Sequence, residues 1–245
     1  MLGGVLHCSG YFLGNDLYPP RDSNPAGFFE NSFINGINER ILEPFDGKEL
    51  YDHLSPVGFT HSPYRPYYGQ RWLSYIEPDT NIICKNPSVA EDIRIALAPP
   101  GFAYKDPRLN YTIPVWEQFL NDRVVLICIF RHPAAVVDSV MLECKRADYL
   151  QGFYLTRKMI FDMWCNSHAH VFRFLDRNPH RDCLFVHYEQ MLDYSAGPVL
   201  SRFLEANIQL SFVASNLNRM KSNESVSDSA DSVYRKLCEL SGFHG

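Results

Sequence analysis

The most regular hydrophobic signal along the chain is the run from Arg123 to Phe130, β-branched and apolar without a polar break after its first residue. Such a run predicts a strand buried on both faces, as in a parallel sheet. Pro133 follows at once and opens a helix over 134–144, the position in a first turn where a missing N–H costs nothing. A second short apolar run, Cys183 to Val186, predicts another buried strand. Between them the apolar positions recur at helical spacing from Leu155 to Leu175. Before them the pattern predicts a helix over 2–12, ending near Gly10 or Gly14. Phe33, Ile34, Ile37, Ile41 and Leu42 give one over 33–42, and two more fall over 70–76 and 89–97. Phe102 to Tyr104 reads as a short strand, with a helix starting at Leu109. Helices over 197–204 and 233–240 close the pattern. The stretch 56–66, rich in Pro and aromatics, reads as a surface loop. The Ser-, Asn- and Asp-rich stretch 211–232 reads as a mobile loop or lid. Strands alternating with helices predict an α/β layered fold, here one domain over 1–245.

Composition narrows this picture. The 245 residues are 46% hydrophobic and 21% charged, enough to bury an ordinary core and unlike disordered or coiled-coil chains. The longest apolar run, Val124 to Phe130, is too short to span a bilayer, and no basic leader precedes an apolar segment at the start. A net charge of -5 gives no global basic field, so no nucleic-acid partner is expected and an anionic ligand must be held by local groups. The seven cysteines are scattered without metal-ligand spacing. They are expected as reduced core thiols of a cytoplasmic protein, with no bound metal.

Three constellations carry candidate chemistry. In Phe130-Arg131-His132-Pro133 a strand ends and a helix begins. Strand carboxyl ends and helix N-termini both favour an anion there, and Arg131 adds a bidentate donor. Ser139, two turns into the helix, is placed to offer a hydroxyl to the same site; the plainer alternative is a small packing residue. In Tyr104-Lys105-Asp106-Pro107-Arg108 two cations flank a turn. Lys105 is suited to neutralise charge on a transferred or leaving group, and Arg108 to clamp an anion or to pair with Asp106. In Gly27-Phe28-Phe29-Glu30-Asn31 a carboxylate follows two aromatics before a helix. It serves either as a general base or as an ordinary acidic group at a helix start.

Together these stretches resemble the sulfotransferase family that uses 3′-phosphoadenosine 5′-phosphosulfate (PAPS), particularly its bacterial-type branch. The likeness rests on Gly10-Tyr11-Phe12-Leu13-Gly14-Asn15-Asp16-Leu17 through Gly27-Phe28-Phe29-Glu30-Asn31. It rests also on Lys105-Asp106-Pro107-Arg108, on Ile129-Phe130-Arg131-His132-Pro133 with Ser139, and on Val186-His187-Tyr188-Glu189. The resemblance implies a three-layer parallel sheet of the P-loop NTPase-like type. It implies sulfuryl transfer from PAPS to a hydroxyl or amine of a small-molecule, carbohydrate or lipid acceptor, without a metal. By position, Glu30 is expected as the base, with Lys105 on the sulfuryl side. Arg131 and Ser139 are expected on the 3′-phosphate, Tyr188 near the adenine, and Arg219 reaching back to the phosphates. Arg108 and Tyr64, the latter in the aromatic stretch 59–68, are expected on the acceptor side.

The family's first central strand and its G-x-x-R-S-G-T type phosphosulfate loop have no counterpart in the sequence, nor does any G-x-x-x-x-G-K-[ST] or G-x-G-x-x-G. The expectation is therefore a sheet lacking that strand. Either the chain starts at an internal Met of a longer enzyme, or it is a remnant that binds nucleotide or a partner without transferring a sulfuryl group. A P-loop kinase is the third reading, disfavoured by the missing G-K-[ST].

Overall fold

The computed structural model describes residues 1–22, 24–45, 56–213 and 225–244. At its centre β1 (Leu126–Phe130) and β2 (Cys183–His187) pair in parallel, Leu126 opposite Cys183 and Phe130 opposite His187. Alternation of side chains sorts the two strands onto two layers. Ile127, Ile129, Leu184 and Val186 face a layer of α1 (Leu2–Cys8), α7 (Tyr188–Leu192) and α8 (Ala196–Phe203), where Val5, Met191 and Leu200 are buried. Cys128, Phe130, Cys183 and Phe185 face α6 (Arg157–Arg177) and α9 (Asp228–Ser241), against Trp164, Ala230 and Leu237. α5 (Pro133–Arg146) carries the chain from β1 towards α6.

A second core joins α2 (Ser32–Leu42), α3 (Pro87–Leu97) and α4 (Leu109–Glu117) around Ile34, Ile37, Ile41, Ile93 and Trp116. Fully buried aliphatic side chains of this kind contribute roughly 1.5–3 kcal/mol each. Asn31 starts α2 by accepting hydrogen bonds from the Phe33 and Ile34 N–H groups, at 2.9 and 3.2 Å.

The mixed α/β class stands, with a two-stranded parallel sheet among the described residues. Several local expectations change. The strand expected from Arg123 begins only at Leu126, because the Asn121 side chain and carbonyl take the Arg123 and Val124 N–H groups in a turn. Its residues up to Ile129 are half-buried rather than enclosed. Over 70–76 only a 3₁₀ turn forms, Arg71–Leu73, since the Tyr75 N–H bonds across to Pro63 O instead of continuing the helix. Phe102 to Tyr104 makes one parallel bridge, Phe102 with Phe12, and no full strand. The stretch 56–66 is not all surface: His61, Ser62, Pro63 and Pro66 are buried, pinned by a bridge between His61 and Phe153. Of the expected lid, Leu210–Phe212 is a 3₁₀ turn and Asp228 onward is already α9, capped by Ser227. Residues 214–224 lie outside the described residues. All seven cysteines are free thiols, and Cys8 is exposed rather than in the core. Among the described residues no helix is long and apolar enough to cross a membrane.

Candidate functional site

A cavity of about 1330 Å³ runs along β1. It is lined by residues 120–131 and 97–107, by parts of α1, α4, α5 and α6, and by Tyr188, but by no residue of β2. Three of the sequence-predicted site residues line it: Lys105, Arg131 and Tyr188.

Arg131 leaves the carboxyl end of β1 immediately before the first turn of α5, and Tyr188 leaves the carboxyl end of β2 as the first residue of α7. The parallel register therefore brings them together. The guanidinium carbon sits 4.7 Å from the Tyr188 ring centroid, a cation–π pair. Burial draws the Arg131 pKa down, against the opposing pull of Tyr188 and Glu189.

His187, the last residue of β2, supports this corner, a role the sequence did not reveal. Its Nδ1 accepts the Glu189 N–H at 3.1 Å, so Nε2 carries the proton and meets Tyr234 Oη at 3.1 Å. Its N–H bonds to Gln190 Oε1 at 2.8 Å, which completes a capping box at α7. Phe243 stacks on the ring with centroids 3.8 Å apart. The signal available was a lone polar residue closing an apolar strand.

Glu30 and Lys105 form an ion pair across 75 residues of chain, Lys105 Nζ donating to Glu30 Oε1. Asn35 Nδ2 donates to Glu30 Oε2 at 3.0 Å. Both residues are set by their neighbours. The Glu30 carbonyl accepts the Tyr18 N–H at 2.9 Å beside the antiparallel bridge of Leu17 with Asn31. Phe29 has a φ of 54°, a left-handed conformation rare for a bulky residue. Gly3 makes room for it, since a Cβ there would come 2.7 Å from Phe29 Cβ, and Phe212 packs edge-on to its ring.

Lys105 is held by the residues that follow it. Asp106 and Arg108 are buried, and they pair at 3.0 Å. Arg108 Nε also meets Glu39 Oε1 at 2.6 Å, and Arg71 Nη1 meets Glu39 Oε2 at 2.9 Å. Asn38 donates to Asp106 Oδ2 at 2.9 Å and accepts from Thr112 and Trp116, both at 2.8 Å. Two cations and two anions thus cancel inside the fold. Burial alone would lower the Arg108 pKa, but Asp106 and Glu39 more than offset it and the net shift is upward. Burial pushes the Asp106 carboxyl up even against the pull of Arg108. Of the two sequence alternatives for Arg108, the pairing with Asp106 is the one observed.

Ser139 is exposed on α5 and does not line the cavity, whose α5 wall is Val136 and Val140. Tyr64 packs against Tyr75, ring centroids 5.0 Å apart, and does not line the cavity either. Arg219 lies outside the described residues. Among the described residues no three His, Cys, Asp or Glu side chains are grouped to hold a metal ion. Comparison with protein-family models, with curated proteins and with solved structures gives no match to this chain.

Proposed function

We propose that this chain is a sulfotransferase-like protein of P-loop NTPase-like architecture that binds PAPS or its product and passes a sulfuryl group to an acceptor hydroxyl or amine. The observation that carries this reading is the meeting of Arg131 and Tyr188 at the carboxyl ends of adjacent parallel strands. A guanidinium beside a helix N-terminus suits a phosphate, and an aromatic face beside it suits a purine. Arg131 would hold the 3′-phosphate and Tyr188 the adenine. In transfer, the acceptor oxygen forms a bond to sulfur as the sulfur–phosphate oxygen bond breaks. The acceptor proton passes to Glu30, while Lys105 offsets charge on the sulfuryl side. The acceptor is a small molecule, carbohydrate or lipid.

One observation favours the second reading, a nucleotide-binding module without transfer. Ser139 stands outside the cavity, which leaves the phosphate donor set resting on Arg131. Calorimetry with adenosine 3′,5′-bisphosphate tests nucleotide binding under both. Arg131→Ala is expected to weaken binding at least about tenfold, as the loss of a charge-assisted pair requires. Equal affinities of wild type and variant would remove the basis of both readings. Transfer of radiolabelled sulfate from PAPS then separates them: Glu30→Gln abolishes turnover only in an enzyme.

A further inference from the structure

The groups that fix the Arg131–Tyr188 corner are themselves held from α9 and the residues just after it. Tyr188 is the first residue of α7, a helix of five residues. A helix that short does not hold itself together, so its first turn depends on its cap. That cap is a pair of side chains. His187 Nδ1 accepts the Glu189 N–H, and Gln190 Oε1 accepts the His187 N–H.

Both side chains of the cap are tied to the same place. Gln190 Nε2 donates at 3.1 Å to the carbonyl of Ser241, the last residue of α9. His187 Nε2 donates to Tyr234 Oη, and the Tyr234 hydroxyl proton goes to Cys238, one turn further along α9. The Phe243 ring lies flat on the imidazole, with an interplanar angle of 10°. Burial, with the charges of His132 and Arg131, lowers the His187 pKa to about 4. At neutral pH Nδ1 therefore keeps the lone pair that the cap needs.

Tyr234 reaches the other strand end as well. Its ring packs edge-on to Phe130 and His132, with centroids 6.3 and 4.8 Å apart. These two residues flank Arg131 in the chain, as His187 precedes Tyr188. One tyrosine thus braces the neighbours of both corner residues. Apolar packing alone asks for less. Ala230 and Leu237 already bury α9 against the sheet, whereas the bonds from Tyr234 and Ser241 add direction and fix which imidazole nitrogen carries the proton.

We infer that α9 sets the geometry of the corner: Tyr234 and Phe243 are positioning residues that act through His187 to hold the Tyr188 ring over the Arg131 guanidinium. The consequence for a nucleotide rests on the function proposed above; the geometry of the corner does not.

Nuclear magnetic resonance on the full chain, without nucleotide, reads that geometry. The Tyr188 ring displaces the Arg131 side-chain proton resonances upfield, and Tyr188→Leu supplies the value without a ring. Tyr234→Phe keeps the packing and removes the oxygen, and Phe243→Ala removes the stack. Each is expected to lose most of the displacement, while Phe243→Tyr, which keeps a stacked ring, should retain it. In the unaltered protein the imidazole nitrogen resonances should place the His187 proton on Nε2. A role confined to stability would lower the urea midpoints of the variants and leave the displacement intact in the folded protein. Calorimetry with adenosine 3′,5′-bisphosphate reads the consequence: Phe243→Ala is expected to bind at least about tenfold more weakly than wild type. A wild-type chain that binds no nucleotide would count against the proposed function and leave the resonance measurements to decide this inference. Full displacement in both Tyr234→Phe and Phe243→Ala, or a His187 proton on Nδ1 in the unaltered protein, would overturn it.

Discussion

Glu39 is the residue on which the interior electrostatics turn. Its two oxygens face two buried guanidiniums, those of Arg71 and Arg108. Removing one member of a buried ion network leaves the others uncompensated and costs about 3–5 kcal/mol. Glu39→Gln is therefore expected to lower the free energy of unfolding by that order in urea titrations, whereas a loss below about 1 kcal/mol would place these charges in contact with water. The sequence exposed half of this arrangement. Lys105-Asp106-Pro107-Arg108 is visible as a charged turn, and the pairing of Arg108 with Asp106 was one of its two readings. Glu39 was invisible, because nothing local marks a carboxylate inside an amphipathic helix as the partner of a residue far along the chain. Glu30 and Lys105 were each legible as candidates. Their contact was not, since it depends on the left-handed backbone of Phe29 and on the space left by Gly3.

At the scale of elements, periodicity located helices well where a cap and an apolar stripe coincide, as in α2, α3 and α6. It failed where a tertiary hydrogen bond competes for the backbone, as at Tyr75, or where a turn intrudes, as at Asn121. The hairpin that presents Glu30 shows how tightly such elements interlock. Gly14 has a φ of +97°, and a Cβ there would lie 2.1 Å from the Asn31 side-chain nitrogen. Asn31 is also the cap of α2. Gly14→Ala should strain the turn and displace the cap together, destabilising the fold by about 1–3 kcal/mol. Asn31→Ala alone should cost about 1 kcal/mol. A thermal midpoint for Gly14→Ala equal to wild type would show that Asn31 moves aside freely.

For the whole molecule, two buried imidazoles set the acid limit of stability. Burial lowers His168 and His187 from 6.5 to about 4, with the charges of His132 and Arg131 adding to the effect at His187. The unfolded chain thus takes up protons first as the pH falls. The stability these groups contribute is complete above 6.5, shrinks below it and is lost towards 4, on the order of 1–3 kcal/mol for each. Urea midpoints should fall between pH 7 and pH 5, and His168→Leu should make that slope shallower. An unchanged slope would mean that His168 takes up protons alike in the folded and unfolded chain. The α/β class was legible from alternating runs, and so was the place where β1 and β2 deliver Arg131 and Tyr188. The cavity beside β1 was not legible, because an apolar run carries no mark of which strand edge has a neighbour.

The cluster around Glu39 has a kinetic consequence. Its charges come from α2, from the turn at Arg71 and from the Asp106–Arg108 turn, so it closes only when all three have docked. A half-assembled set of buried charges is unfavourable, so these contacts are expected to form after the folding barrier has been crossed. Glu39→Gln should therefore steepen the loss of the native state, raising the unfolding rate while leaving the folding limb of a chevron nearly where it was. The same late closure makes the cluster a latch: it does little to guide the chain towards its fold and much to slow its escape.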